Sequence, residues 1–273
     1  MDFYHWRNFP EKNPILLWDE TPGWMEGVDQ DPPSLTPYLA ENAKSAIVVC
    51  PGGGYAMKAS HEAEDIAQMY QAAGISAFVL NYRVAPFRYP WPQRDVRRAI
   101  SFVRARGCEY GLPKGAPVAV IGFSAGGHLA SSAATLYDLP DFEPVDDVDK
   151  VSNRPDAAIL CYPVISLISD RRHHGSRVNL LGEDAPEALV RHLSGELNVR
   201  EDAPPTFLWH TADDATVPVE NSLMMAQALR DKKIPFELHI FPHGAHGLGL
   251  APENPEVAPW AALSVTFLKN LGF

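Results

Sequence analysis

From residue 46 onward, short apolar runs alternate with segments whose apolar residues recur at helical spacing. The runs predict strands buried on both faces of a sheet. The intervening segments, such as the one with Ile66, Met69, Tyr70 and Ala73, predict amphipathic helices. This alternation predicts the α/β class, with a mostly parallel central sheet covered by helices on both faces. The predicted strands are residues 46–50, 76–80, 118–121, 157–160, 206–209 and 236–240.

Two segments depart from this alternation. Residues 1–45 are rich in Pro, Trp and acids, and within them residues 15–18 and 35–39 predict short edge strands, because proline cannot donate to a ladder. Residues 164–203 are too long for an ordinary loop. We predict that they form a cap-like insertion over the carboxyl ends of the strands, where such sheets bind ligands. Residues 1–273 are otherwise predicted to form a single domain.

Composition and charge exclude several classes of protein. The chain of 273 residues has a formal net charge of −11 and no Lys/Arg run, which disfavours nucleic acid as a partner. Its 3 cysteines show neither a disulfide framework nor a zinc-site spacing. No apolar run approaches the ~20 residues of a membrane span, and the N-terminus lacks the pattern of a signal peptide. The composition therefore predicts a soluble, cytoplasmic protein and leaves the oligomeric state open.

The most specific motif is Gly122-Phe123-Ser124-Ala125-Gly126, which lies directly between a predicted buried strand and a helix of small residues. A G-x-S-x-G turn in that context places a nucleophilic serine on a strained turn above the sheet edge. The flanking glycines stand where side chains would come too close. The alternatives are a strand–helix turn without chemistry and a phosphate-binding loop, but the latter requires a lysine after the glycines, and His128 stands there.

A second glycine-rich turn, Pro51-Gly52-Gly53-Gly54-Tyr55, follows the first predicted buried strand. Acyl transfer needs N–H donors for the carbonyl oxygen, one from the residue after the nucleophile, here Ala125, and others from a loop at this position. A flexible turn without chemistry is the alternative. Beyond the loop, Ser60 is predicted to cap a helix whose first turn carries Glu62, Glu64 and Asp65, where acids complement the helix dipole.

Hydrolases with this turn place the acid and then the histidine after the serine in chain order. His243 and His246 both follow the last predicted strand, and the small residues around His246 favour it as the base. Asp213 and Asp214 follow the preceding strand. Asp214 is favoured as the acid that orients the imidazole, and Asp213 as a cap of the turn. His128, one turn beyond the serine, is expected to pack within its helix.

Together these motifs resemble α/β-hydrolase serine esterases, in particular the acetyl-xylan-esterase-like and feruloyl-esterase-like group that borders the hormone-sensitive-lipase carboxylesterases. Hormone-sensitive-lipase relatives usually have His at the start of the glycine turn and Asp before the nucleophile. Pro51 and Phe123 stand at those positions, which favours the acyl-sugar esterase branch. The resemblance covers about residues 44–270. It rests on residues 51–55, 81–86, 89–95, 122–130, 213–218 and 246–247.

The resemblance implies a catalytic triad and an oxyanion hole. Ser124 is then the nucleophile, His246 the base and Asp214 its orienter, and the N–H groups of Gly53, Gly54 and Ala125 form the oxyanion hole. It also implies that Arg83 and Asp95 pair behind the site, although two solvated charges remain an alternative.

The implied activity is hydrolysis of short acyl esters, chiefly acetyl esters of sugars or xylo-oligosaccharides, through an acyl-enzyme and without a metal or organic cofactor. An amidase or small peptidase on the same fold is one alternative, and a non-catalytic small-molecule receptor is another. Trp6, Trp18 and Trp24 either form a rim on which sugars stack or pack the N-terminal segment onto the domain.

Overall fold

A computed structural model of the protein describes residues 13–140 and 142–273. Within them one eight-stranded sheet has the order β1-β2-β4-β3-β5-β6-β7-β8. Neighbouring strands from β3 to β8 run parallel, whereas β1 and β2 join antiparallel at one side. The predicted mostly parallel sheet is confirmed. The strands are β1 (Ile15–Leu16), β2 (Ser34–Tyr38), β3 (Ala46–Cys50), β4 (Ser76–Asn81), β5 (Val118–Phe123), β6 (Ala157–Cys161), β7 (Thr206–Thr211) and β8 (Phe236–Phe241).

Helices cover both faces of this sheet, as predicted. Side chains of a strand point alternately to opposite faces, so Ile47 and Val49 enter one apolar layer and Val48 and Cys50 the other. The first layer contains residues of α1 and α7, and the second contains residues of α2, α3 and α6. The helices are α1 (Glu64–Ala72), α2 (Trp91–Arg106), α3 (Ala125–Thr135), α4 (His174–Leu181), α5 (Glu187–His192), α6 (Glu220–Asp231) and α7 (Trp260–Asn270). No helix in the two described ranges is long and apolar enough to cross a membrane.

The N-terminal strands differ in part from the prediction. β1 is an edge strand, but β2 lies between β1 and β4. The sheet tolerates Pro37 because β1 pairs only with Ser34 and Leu35, so on that side the ladder ends before the proline. Trp18 is buried, and the Trp24 ring lies 5.2 Å from that of Phe87. These two tryptophans therefore pack the N-terminal segment onto the sheet rather than forming a sugar-stacking rim, while Trp6 lies outside the described residues.

The predicted pair of Arg83 and Asp95 is confirmed. The guanidinium donates from Nη2 to Oδ1 at 2.6 Å and from Nε to Oδ2 at 3.0 Å, and neither side chain is exposed. The backbone N–H of Arg83 donates to the same carboxylate at 2.8 Å. Because Arg83 follows β4 and Asp95 lies in α2, the ion pair fixes this helix to the end of the strand.

The predicted start of the first helix is wrong. Ser60 opens a separate 3-10 turn, Ser60–Glu62, and α1 begins only at Glu64, without a side-chain cap. Glu62 is consequently not a solvated residue of a first helical turn but a buried side chain. Its carboxylate faces the carboxyl end of the sheet, where the glycine turns and histidines of the sequence motifs converge.

Residues 164–203 contain α4, α5 and a 3-10 turn, Gly195–Leu197, rather than a βαβ unit. This segment bonds to the elements around the carboxyl ends of the strands. The carbonyl of Leu180 accepts the N–H of Tyr89 at 2.9 Å, and the carbonyl of Leu193 accepts Nε2–H of His128 at 2.7 Å. The segment therefore contacts α3 through His128 and the chain just before α2 through Tyr89.

Candidate active site

The turn between β5 and α3 has a strained backbone at Ser124 and two close approaches that only glycine allows. Ser124 has φ +53° and ψ −117°, backbone angles that residues other than glycine rarely adopt. A Cβ at Gly122 would lie 1.9 Å from the carbonyl oxygen of Gly126, and one at Gly126 would lie 2.1 Å from that of Cys50. Only glycine fits at either position. The turn is held by the N–H of Ser124, which donates to the carbonyl of Cys161 at 3.0 Å.

Ser124, His246 and Asp214 form a continuous hydrogen-bonded chain at the carboxyl end of the sheet. Nε2 of His246 lies 2.8 Å from Oγ of Ser124, and Nδ1 lies 2.6 Å from Oδ2 of Asp214. Since a carboxylate only accepts, Nδ1 carries the proton and Nε2 is free to accept the serine hydrogen. Oδ1 of Asp214 accepts the N–H groups of Thr216 and Val217, each at 2.9 Å. The structure thus brings the three predicted residues together in the order that nucleophilic catalysis requires.

The alternative residues form a separate pair. Nδ1 of His243 lies 3.0 Å from Oδ2 of Asp213, and the His243 side chain is 78% exposed. Oδ1 of Asp213 accepts the N–H of Gly244 at 2.8 Å, so this aspartate holds the turn that precedes His246. His128 is fully buried outside the triad, with Nδ1 accepting the Tyr55 hydroxyl at 2.7 Å and Nε2–H donating to the Leu193 carbonyl.

The glycine turn after β3 is held from several sides. Gly53 has φ +128°, and a Cβ there would lie 2.3 Å from the carbonyl oxygen of Met57. The carbonyl of Gly54 accepts Nδ2 of Asn179 at 2.8 Å, and the carbonyl of Tyr55 accepts the N–H of Ala85 at 2.8 Å. Ala125 is the first residue of α3, so its N–H has no partner within the helix.

In residues 13–140 and 142–273, no hydrogen-bond acceptor pairs with the N–H groups of Gly53, Gly54 or Ala125. A Cβ at the neighbouring Gly52 would lie 3.0 Å from Cβ of Ser124, so the turn approaches the serine closely. Unpaired N–H groups beside a nucleophile are what an oxyanion hole consists of.

The electrostatics of the site favour a charged acid and neutral surroundings. Burial by itself raises the pKa of Asp214, but hydrogen bonds from His210 and His246 more than offset that effect, so its pKa lies well below the usual range. Burial raises the pKa of Tyr162, whose ring centroid lies 5.0 Å from that of His246. Asp214 therefore stays ionised wherever His246 works as a base.

Several residues that contact the site were missed by the sequence analysis. Asn179 lies in the irregular insertion, and His210, Glu62 and Tyr162 approach only through the fold. His173, which precedes α4, accepts the N–H of Ser176 at Nδ1, so its Nε2 carries the proton. The pKa of His173 is lowered by burial and, to a smaller extent, by its electrostatic interaction with His246. Of these residues, only His210 carries a signal in the sequence, because it stands four residues before Asp214.

Among the residues that the structure describes, no three His, Cys, Asp or Glu side chains are grouped so that they could hold a metal ion. The absence of a cofactor from the reaction remains a prediction from the triad chemistry.

Two known proteins with similar sequences are named as a xylanase and an acetylxylan esterase, and others are named as esterases. The chain is 38% identical over 231 residues to endo-1,4-beta-xylanase B of Butyrivibrio fibrisolvens, and the match covers 81% of this chain but 35% of that protein. It is 33% identical to the acetylxylan esterase of Xylanibacter ruminicola over 220 residues, 78% of this chain and 43% of the relative. The chain therefore spans less than half the length of these two curated relatives.

A solved structure matches over nearly its whole length. It is an acetyl ester-xyloside bifunctional hydrolase from Caldicellulosiruptor lactoaceticus, 45% identical, with a TM-score of 0.91. The match covers 96% of this chain and 97% of that one. The BD-FAE family profile matches residues 35–229, which include the glycine turn, Ser124 and Asp214. The chain belongs to the BD-FAE family and is an α/β-hydrolase of the acetylxylan-esterase type.

Proposed function

We propose that the protein is a serine carboxylesterase that removes acetyl and other short acyl groups from sugars, including xylo-oligosaccharides. The observation that carries the proposal is the hydrogen-bonded chain from Ser124 through His246 to Asp214 beside unpaired N–H groups. The names of the relatives support the substrate class, because one is an acetylxylan esterase and another an acetyl ester-xyloside hydrolase.

The geometry suggests how the proton moves. Oγ of Ser124 attacks the ester carbonyl while Nε2 of His246 takes its proton, and Asp214 stabilises the resulting imidazolium. The negative oxygen of the tetrahedral intermediate is stabilised by N–H groups of Gly53, Gly54 and Ala125. His246 then gives its proton to the leaving alcohol. In the second half-reaction the same histidine activates water, which releases the acid from the acyl-serine.

Residues 164–203 act, in this proposal, as a cap that contacts the alcohol portion of the substrate. The support comes from α4, an eight-residue helix that contacts the oxyanion loop. Asn179, near the C-terminus of α4, donates to the oxyanion loop, and His173, just before its N-terminus, interacts electrostatically with His246. A substrate bound to Ser124 would then lie against this helix, with Nε2–H of His173 available to a sugar hydroxyl.

Two assays test the function. Hydrolysis of p-nitrophenyl esters from acetate to long chains, together with acetylated xylo-oligosaccharides, should show a preference for acetyl, and a preference for long chains would contradict it. A serine-directed phosphonate should label Ser124. Failure to label an intact protein would favour a receptor, and faster turnover of amides than of matched esters would favour an amidase.

A cytoplasmic location is part of the proposal. Cys50, Cys108 and Cys161 are all free thiols, as expected of a reducing compartment. Fractionation of cells that express the full-length protein tests it, and recovery outside the cytoplasm would contradict it.

A further inference from the structure

Glu62 is a buried carboxylate that the proposed reaction does not use. Its residue is 2% exposed. Oε2 accepts the N–H of Gly52 at 2.7 Å, and Oε1 accepts the hydroxyl of Tyr162 at 2.6 Å. Because Gly52 begins the glycine turn and Tyr162 follows β6, one side chain connects the oxyanion loop to the opposite side of the site.

Tyr162 extends this connection to the loop that carries His246. Its hydroxyl accepts the N–H of Gly249 at 2.9 Å, and its ring packs edge-on against the imidazole of His246. The neighbour of Glu62, His61, donates Nε2–H to the carbonyl of Gly247 at 2.9 Å. The turn Ser60–Glu62 thus bonds the oxyanion loop and the His246 loop directly. It reaches the His246 loop a second time through Tyr162.

Both hydrogen-bond partners of Glu62 are donors, which a carboxylate satisfies and an amide does not. The backbone N–H of Gly52 cannot accept. The Tyr162 oxygen already accepts from Gly249, so its hydrogen points to Glu62. A carboxylate accepts both, whereas a glutamine would direct its NH2 group at one of them. Among the described residues no Lys or Arg forms an ion pair with Glu62, and His61 approaches only to 3.7 Å.

The other titratable groups of this region separate into charged and neutral ones. Burial raises the pKa of Tyr82, Cys161 and Tyr162 well above their usual ranges, so these neighbours of Glu62 are neutral. Around His246 the structure places Asp214 and His210 on the β7 side and Tyr162 after β6, and His173 before α4 interacts with it electrostatically. Asp214 contacts the imidazole directly, whereas Glu62 contacts Tyr162, whose ring packs against the imidazole.

We propose that Glu62 is a positioning residue that holds the oxyanion loop and His246 in mutual register, and that its negative charge stabilises the imidazolium formed on His246. The inference rests on the proposed esterase function. The physical reason is that a charge in a buried, water-excluded site interacts strongly with a charge that develops nearby, and needs no rearrangement when it does so.

The test compares wild type, Glu62→Gln, Tyr162→Phe and a surface control, Asp65→Asn, in p-nitrophenyl acetate hydrolysis across pH. Glu62→Gln should lower kcat by about 10–100-fold with KM nearly unchanged, since one misplaced oxyanion donor costs about 10²–10³. The acidic limb of its kcat/KM profile should move to lower pH by roughly half a pH unit or more, because a nearby negative charge favours the protonated imidazole. Asp65→Asn, on the exposed side of α1, should match wild type.

Tyr162→Phe separates positioning from charge. It breaks the connection to the His246 loop but keeps the carboxylate, so kcat should fall while the acidic limb stays in place. An unmoved limb in a folded Glu62→Gln, or a wild-type kcat in Tyr162→Phe, would overturn the inference. If Glu62→Gln does not fold, Tyr162→Phe alone decides by its kcat. An inactive wild type would instead refute the esterase function itself.

Discussion

Nε2 of His210 lies 3.4 Å from Oδ2 of Asp214, and neither side chain is exposed to solvent. The same Nε2–H donates to the carbonyl of Val217 at 2.9 Å, and Nδ1 accepts the hydroxyl of Ser222 at 2.8 Å. The imidazole is thereby fixed in one tautomer, with its N–H on the Val217 carbonyl and its Nε2 beside the acid of the triad. Asp214 is consequently held at Oδ1 by the N–H groups of Thr216 and Val217, while Oδ2 lies near His210 and bonds His246.

Removal of the His210 N–H should impair the orientation of the acid. We expect His210→Leu to lower kcat on p-nitrophenyl acetate by about 10-fold, the cost of roughly one charge-assisted hydrogen bond. His210→Gln, which keeps an N–H near Nε2, should lose clearly less. Steady-state kinetics on both variants decide the point, with thermal unfolding as the check that each is folded. Equal losses in the two variants would assign His210 to packing alone.

The two histidines after β8 should differ sharply in importance. His246→Ala removes the group that bonds both Ser124 and Asp214, so kcat should fall by about 10³-fold or more. His243→Ala breaks only an exposed pair with Asp213, so its rate should stay within about twofold of wild type. Acetate ester hydrolysis by the two purified variants measures this. Equal, small losses would mean that the base lies on another loop.

Local geometry is the part of this site that a sequence predicts well. Gly122 and Gly126 are required because the backbone approaches them closely on either side of Ser124. This requirement places glycines at a fixed spacing that is recognisable in the sequence. Asp214 and His246 follow from chain order and from the strands that precede them. The physical constraint in each case is a turn, whose residue types are restricted by its backbone angles.

Contacts between distant segments are the part that the sequence does not predict. Glu62 has the pattern of an acid in a first helical turn, yet its partner Tyr162 is 100 residues away and decides its burial. Asn179 lies in a segment without periodicity, so nothing local indicates that it reaches Gly54. Likewise, Pro37 predicts that β2 is an edge strand, but the very short β1 pairs with its first two residues.

Asn179 provides a test of the contact between α4 and the oxyanion loop. Asn179→Ala removes the donor to the Gly54 carbonyl, so the adjacent N–H groups should be held less firmly, and kcat should fall by about 10-fold. Asn198→Ala is a matched control, because Nδ2 of Asn198 bonds only the carbonyls of Arg191 and Ser194 within the same insertion. The comparison of kcat on one acetate ester measures the effect. A larger loss in the control would contradict a specific role for Asn179.

The pair of Arg83 and Asp95 should matter for stability. Asp95→Asn leaves a fully buried guanidinium without its counter-charge, so the free energy of unfolding should fall by about 3–5 kcal/mol. The double variant Arg83→Met, Asp95→Leu removes both charges and should be less destabilised than the sum of the single variants. Urea unfolding of the single and double variants measures the coupling. Additive losses would show that the two side chains do not act as a pair.

His128 should make stability depend on pH. Burial lowers its pKa from the usual 6.5 to about 4, so the folded protein keeps the ring neutral where the unfolded chain protonates it. Stability from this group is therefore complete above pH 6.5 and is lost as the pH falls towards 4, by roughly 3 kcal/mol in all. His128→Gln, which does not titrate, should be less stable at neutral pH but lose correspondingly less on acidification. Urea unfolding at several pH values measures both slopes, and the difference between them isolates His128 from the carboxylates. Parallel slopes in wild type and variant would show that His128 is protonated as readily in the folded protein as in the unfolded chain.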